Sequence, residues 1–204
     1  MSMLRSWFGP SRDEIWRQLC QETGAQVVPG GIWQGDKVEA KHGQWTIILD
    51  TYVESAGRTA IAYTRLRAPY VNRDGFKFTI YRKGAFTDLG KWFGMQDIEI
   101  GDPQFDDQFV IKGNDEKQLV ALFASPRIRE LLLAQPDVFF TVKEDEGWFG
   151  PHFPEGVDEL CFQVIGVIKD VERLKLLYDL CAETLEHLCR IGSAYENDPQ
   201  VKLS

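Results

Sequence analysis

Alternating apolar segments joined by short connections constrain this chain more than any other feature. Trp45, Ile47 and Leu49 alternate with Thr46, Ile48 and Asp50, followed by Ile61 to Leu66 and then by Phe76, Phe78 and Ile80. A period of two sends successive side chains to opposite faces of a strand. Asn72-Arg73-Asp74-Gly75 supplies a turn between the last two segments. Parallel neighbours need a crossover of a dozen or more residues, so these connections predict an antiparallel meander.

Helical signals surround the strands. Ser11 and Glu14 form a capping box ahead of Ile15, Trp16, Leu19 and Cys20, and Gly24 stops that helix. Asp115 opens a helix through Leu119, Val120, Leu122 and Phe123. Ser125-Pro126 starts another, with Ile128, Leu131 and Leu132 as its apolar face. Asp170 caps the last and clearest helix, in which Leu174, Tyr178, Cys181, Leu185 and Leu188 form a narrow stripe as far as Gly192. Strands are predicted over Phe105 to Lys112, Val138 to Val142 and Leu160 to Ile168, while Ala85 to Met95 reads as a short helix or an ordered loop. The order predicts an α+β fold, an antiparallel sheet meander with helices packed on one face and a long C-terminal helix. One domain over 11–195 is expected, with possible sub-lobes at 11–94 and 95–195, an apolar lead-in at 1–10 and a flexible tail at 196–204.

Composition bounds the function classes. Hydrophobic residues at 44% and charged residues at 26% are the proportions of a globular chain. A net charge of −8 argues against nucleic-acid binding through bulk positive charge. No apolar run approaches the length of a transmembrane helix, and Met1 to Pro10 lacks the apolar core of a signal peptide. Cys20, Cys161, Cys181 and Cys189 form no CxxC pair and sit in apolar patterns, the usage of reduced packing cysteines in a cytoplasmic protein.

The charge is distributed in blocks. Arg58 to Lys91 carries a local balance of +6, whereas Asp97 to Glu116 and Asp137 to Glu159 each carry −6. In the basic block Arg65 and Arg67 share a strand face, as do Lys77 and Lys83, with Tyr63 and Tyr81 interleaved. Arg65, Arg67, Lys77, Tyr81 and Lys83 are therefore candidate binding residues, because an aromatic-studded basic sheet can take phosphate groups or single-stranded nucleic acid. Pairing with the chain's own acidic blocks, or a charged face for another protein, accounts for the same pattern better. Asp102, Asp106 and Asp107 are candidate ligands for Ca²⁺ or Mg²⁺, which want convergent carboxylates. Strand alternation would separate Asp106 from Asp107, so a solvated acidic edge is the competing account.

Lys143 to Glu159 is a long loop for a compact domain, and His152 within it is the one histidine in a plausible functional setting. A packed or exposed loop histidine is the plainer reading. GxSxG, zinc-ligand spacing and phosphate-binding glycine fingerprints are all missing from the sequence, so no catalytic residue is named and no cofactor is expected. Trp7 and Phe8 in the lead-in, with Met3 and Leu4, could dock on the core, on a partner or at a membrane interface.

The run Phe105-Asp106-Asp107-Gln108-Phe109-Val110-Ile111-Lys112-Gly113-Asn114-Asp115, followed by a helix ending in Pro126-Arg127-Ile128-Arg129-Glu130-Leu131-Leu132 and a strand, resembles conserved bacterial domains of unknown function. Thr64-Arg65-Leu66-Arg67-Ala68-Pro69 and Asp97-Ile98-Glu99-Ile100-Gly101-Asp102 fit the same resemblance, which covers roughly residues 63–194. It implies a bacterial intracellular protein and carries no reaction, cofactor or catalytic residue. The expected function is a non-enzymatic binding or protein-interaction domain. A small hydrolase or metal- or ligand-binding enzyme built on Asp102 to Asp107 with His152 is the alternative, and phosphate or nucleic-acid binding on the basic face is a third reading.

Overall fold

A computed structural model of the chain describes residues 10–30, 35–56, 58–84, 96–144 and 153–203. The elements run α1 (Arg12–Thr23), β1 (Gln26–Val28), β2 (Lys37–His42), β3 (Trp45–Ala56), β4 (Thr59–Asn72) and β5 (Phe78–Arg82). They continue with β6 (Gln96–Asp97), α2 (Pro103–Gln108), β7 (Phe109–Gly113), α3 (Glu116–Phe123), α4 (Pro126–Leu133), β8 (Phe139–Lys143), β9 (Val157–Ile165), α5 (Val171–Arg190) and β10 (Ala194–Tyr195). The protein is α+β, with a long C-terminal helix. Among the described residues no helix is long and apolar enough to cross a membrane.

All strand pairs are antiparallel, in the order β1-β2-β3-β4-β9-β8-β5-β7-β6, with β10 also paired to β4. The order is meander-like, with one insertion: the β8–β9 pair lies between β4 and β5. The turn after Asn72 therefore joins two strands that are not neighbours. Side chains close it instead of a ladder: Asn72 Oδ1 accepts from Gly75 N at 3.1 Å, and Asn72 Nδ2 donates to Phe76 O at 3.0 Å and to Asp158.

Alternation gives the sheet two chemically distinct faces. Val38, Leu49, Leu66, Phe162, Phe140, Ile80 and Ile111 are successive cross-strand partners, and all are buried in one hydrophobic cluster. The five described helices pack on this face, contributing Leu19, Phe105, Leu122, Leu131 and Leu185 among others to the cluster. The neighbouring row, Ile48, Arg67, Cys161, Thr141 and Thr79, points the other way, and none of its members belongs to that cluster.

Helix starts follow their caps. Both halves of the Ser11–Glu14 box form, and Asp115, Ser125 and Asp170 each accept from a backbone N–H of the first turn. The stretch expected as a strand from Phe105 instead begins as helix α2, and β7 starts only at Phe109. Asp102 caps α2 with Pro103 at its first position, and Phe105 turns inward, its ring centroid 4.6 Å from that of Phe109 in a tilted contact. β9 likewise starts at Val157, three residues before the predicted Leu160.

The C-terminal segment expected to fray does not behave as a free tail. Just ahead of it Ala194 and Tyr195 pair with β4, and within 196–204 Leu203 is 2% exposed, its carbonyl accepting from Lys37 Nζ at 2.7 Å. An apolar side chain with a covered site to enter holds the segment down. The lead-in with Trp7 and Phe8, the segment Ala85 to Met95 and His152 lie outside the described residues.

Gly113 shows how closely α3 sits on the sheet. A Cβ there would come within 2.5 Å of Leu119 Cδ1 and 2.8 Å of Lys77 O. Gly113→Ala is expected to cost roughly 1–3 kcal/mol of stability in urea unfolding, because the backbone oxygen cannot step aside.

Candidate functional site

The face without described helices carries an ionic layer built by three adjacent strands. Asp50 of β3 lies directly opposite Arg65 of β4, and the carboxylate accepts Arg65 Nε at 2.8 Å and Nη2 at 2.9 Å. This is the bidentate fork geometry that makes arginine–carboxylate pairs strong and directional. Arg67, two residues on and 0% exposed, donates to the same Asp50 carboxylate through Nη2. One carboxylate thus holds two guanidinium groups. Burial works against the Arg65 charge, but the hydrogen bonds and charge of Asp50 overcome it and keep that guanidinium above its ordinary pKa.

β9 adds a second carboxylate to the layer. Glu159 is 1% exposed, and its Oε2 has no hydrogen-bond partner among the described residues. Burial pushes the Glu159 carboxyl above the usual glutamate range, against the pull of Arg67, Lys143 and Arg65. Cys161, opposite Arg67, is wholly buried, and that burial pushes its thiol up to about 11. Such a thiol is a packing group and a poor nucleophile. Beyond it Thr141 and Thr79 share a hydroxyl hydrogen bond of 2.7 Å, which satisfies both inside the layer.

Toward the tip of the β3–β4 hairpin the same face turns aromatic. Tyr52 and Tyr63 are cross-strand partners whose rings stack with centroids 5.0 Å apart. The Arg65 guanidinium sits 4.6 Å from the Tyr52 ring centroid while it grips Asp50. Burial raises the Tyr52 hydroxyl's pKa, so the ring stays neutral. Ile165, opposite Tyr63 on β9, is 63% exposed.

The remaining residues singled out in the sequence scatter. Lys77 pairs with Glu144, joining the basic block to the second acidic block. Tyr81 shares the face of Thr79 but is buried, and Lys83 is exposed just past the end of β5, around a recess that Asp97 and Glu99 also line. Asp102 caps α2 and lies 3.5 Å from Arg129 Nε. Asp106 accepts Ile100 N and Gly101 N, each at 3.0 Å, and Asp107 faces solvent. These carboxylates serve local backbone instead of converging, and among the described residues no group of His, Cys, Asp or Glu is arranged to hold a metal ion.

Two partnerships were hidden from sequence reasoning. Asp50 looked like an ordinary polar residue of an alternating strand, although its place opposite Arg65 makes it the anchor of the layer. His42 Nε2 lies 2.8 Å from Glu186 Oε1, 144 residues away, in a recess that also includes Trp45 and Cys189. That trio of groups has the composition of a thiol-based catalytic site. Its electrostatics are the reverse, because burial and then Glu196 and Glu186 raise the Cys189 thiol instead of favouring a thiolate.

Removing the shared carboxylate tests the layer. Asp50→Asn removes the carboxylate that two largely buried guanidinium groups share, and a loss of roughly 3–5 kcal/mol is expected in urea unfolding at neutral pH. Glu159 acts with the opposite sign. Its folded pKa lies above its unfolded value, so between the two the folded state holds a proton that the unfolded state has released, and stability falls as pH rises. Glu159→Gln should flatten that decline from the ordinary glutamate value upward, leaving the similar share of Asp158, whose carboxyl burial also raises. Unfolding free energies measured across this range for both proteins check it.

Compared with protein-family models, with curated proteins and with solved structures, the chain matches none.

Proposed function

We propose that this protein is a non-enzymatic interaction domain that recognises another protein through the sheet face opposite its helices. The observation that carries the reading is the Tyr52–Tyr63–Arg65 cluster beside exposed Ile165. Tyrosine and arginine dominate binding hot spots, and here the stacking and the Asp50 fork fix their geometry before any partner arrives. Little side-chain entropy remains to be lost on binding. An exposed isoleucine beside them supplies apolar area for a partner to cover.

Phosphate or nucleic-acid recognition on the basic block is the weaker reading, because Arg65 and Arg67 are held by Asp50 and Lys77 by Glu144. The four cysteines are free, and Cys161 and Cys181 are fully buried. That usage supports a reducing, cytoplasmic setting.

A photo-crosslinking amino acid at position 165 should trap a specific protein, whereas the same group at exposed Glu116 on α3 should not. Affinity of the purified pair should fall by at least about 2 kcal/mol with Tyr63→Ala, the scale of a hot-spot truncation. Equal trapping at both positions, or an affinity indifferent to Tyr63→Ala, would overturn the proposal.

A further inference from the structure

The C-terminal strap borders a second feature on the face without described helices, away from the hairpin tip. Residues 198–203 pass over β1, β2 and β3, and a cavity of about 570 Å³ lies between strap and sheet. That volume falls within the range of small-molecule sites, about 300–1,000 Å³. Its apolar walls come from both sides: Val28, Ile48 and Pro69 from the strands, Val201 and Leu203 from the strap.

The charged lining is asymmetric. Alternation along β2 sends Lys37, Glu39 and Lys41 to the cavity while Val38 enters the core. Lys37 is occupied, lying 3.2 Å from Glu39 Oε1 and donating to Leu203 O. Asp198 is also engaged, its Oδ1 accepting Gln200 N at 2.8 Å in the turn where Gln200 takes a φ of +54°. Lys41 donates to the Thr46 hydroxyl at 2.6 Å, and neither Lys41 nor Lys202 has a carboxylate partner among the described residues. Two lysines thus stand at a cavity of mixed polar and apolar lining, in which Glu39 is paired with Lys37 and Asp198 accepts a backbone N–H.

We infer that this cavity binds a single-chain amphipathic carboxylate. Its head group pairs with Lys41 and Lys202, and its hydrocarbon chain lies along Val28, Ile48, Pro69 and Val201. The head group gains a charge-assisted contact that the present side chains do not supply, and the tail covers the half-buried Val28 and Val201 while lying against Ile48 and Pro69, which are already buried. A cationic amphiphile of the same length meets ammonium groups at the same point, and a neutral alcohol forgoes the ionic contact.

Equilibrium dialysis of the full chain against labelled decanoate, kept below its micelle concentration, tests the assignment. One molecule per chain is expected, with binding weakened about tenfold or more for the Lys41→Gln/Lys202→Gln protein, equivalent to about 1.4 kcal/mol. Decylammonium should bind more weakly than decanoate by at least the same factor. Val201→Trp, which fills the cavity while leaving both lysines in place, should abolish uptake without lowering the melting temperature. No decanoate uptake up to millimolar concentration overturns the inference. Equal uptake of decylammonium, or decanoate uptake unchanged in both variants, marks nonspecific surfactant association and overturns it as well.

Discussion

Strand β4 is hydrogen-bonded along both edges, to β3 on one side and β9 on the other, and its alternate side chains must satisfy two unlike environments. Thr64, Leu66 and Ala68 face the helices, while Arg65, Arg67 and Pro69 face the ionic layer. Neither set can exchange places with the other. A one-residue slip of β3 against β4 would move Asp50 away from Arg65 and turn its charge toward the apolar cluster. The register of the sheet's centre is therefore fixed twice, by the packing of Leu49 on Leu66 and by the fork of Asp50 on Arg65.

Buried ion pairs are a poor source of net stability, because removing charges from water costs about as much as their attraction returns. Asp50 is better understood as preventing a loss: two guanidinium groups are held in the middle of the sheet, and this carboxylate makes that placement tolerable. Glu159 weighs on the other side. Its burial favours the neutral acid, so the layer is less strained with that proton in place. The apolar face, with its continuous row from Val38 to Ile111, supplies the driving force, and the ionic face supplies the specification.

What could be read from the sequence was mostly local. Ser11, Asp115, Ser125 and Asp170 announce their helices because a cap needs only a side chain and the next three amides. The same logic applied to Asp102-Pro103 would have revealed α2, but the apolar alternation of Phe105 to Ile111 masked it. The Asn72 turn suggested adjacent strands, and the insertion of β8 and β9 depends on pairings 86–102 residues apart for β4–β9 and 58–62 apart for β5–β8, which no turn signal encodes. Arg65 and Arg67 were correctly placed on one face by period alone. Their partner was not, since Asp50 becomes special only through register. The strap was missed for a similar reason: Val201 and Leu203 look like isolated apolar residues in a polar tail until Lys37 and the second face are in view.

The segregation of charge along the chain also changes meaning in three dimensions. A basic block at +6 between acidic stretches suggests a cationic surface awaiting a partner. In the fold, Arg65 and Arg67 turn to Asp50, Lys77 to Glu144, and Arg82 to the backbone carbonyls of Leu133 and Gln135. Even Arg73 lies over the ring of Tyr195. The block is thus largely spent on holding strands and loops of the same chain together. Outward, where β3, β4 and β9 meet beside the hairpin tip, stand the stacked Tyr52 and Tyr63 and the exposed Ile165, with the Arg65 guanidinium fixed against the Tyr52 ring. In the proposed interaction, a surface of that composition would read shape and apolar area more than charge. Binding there should therefore respond weakly to salt, because few unpaired charges remain to be screened.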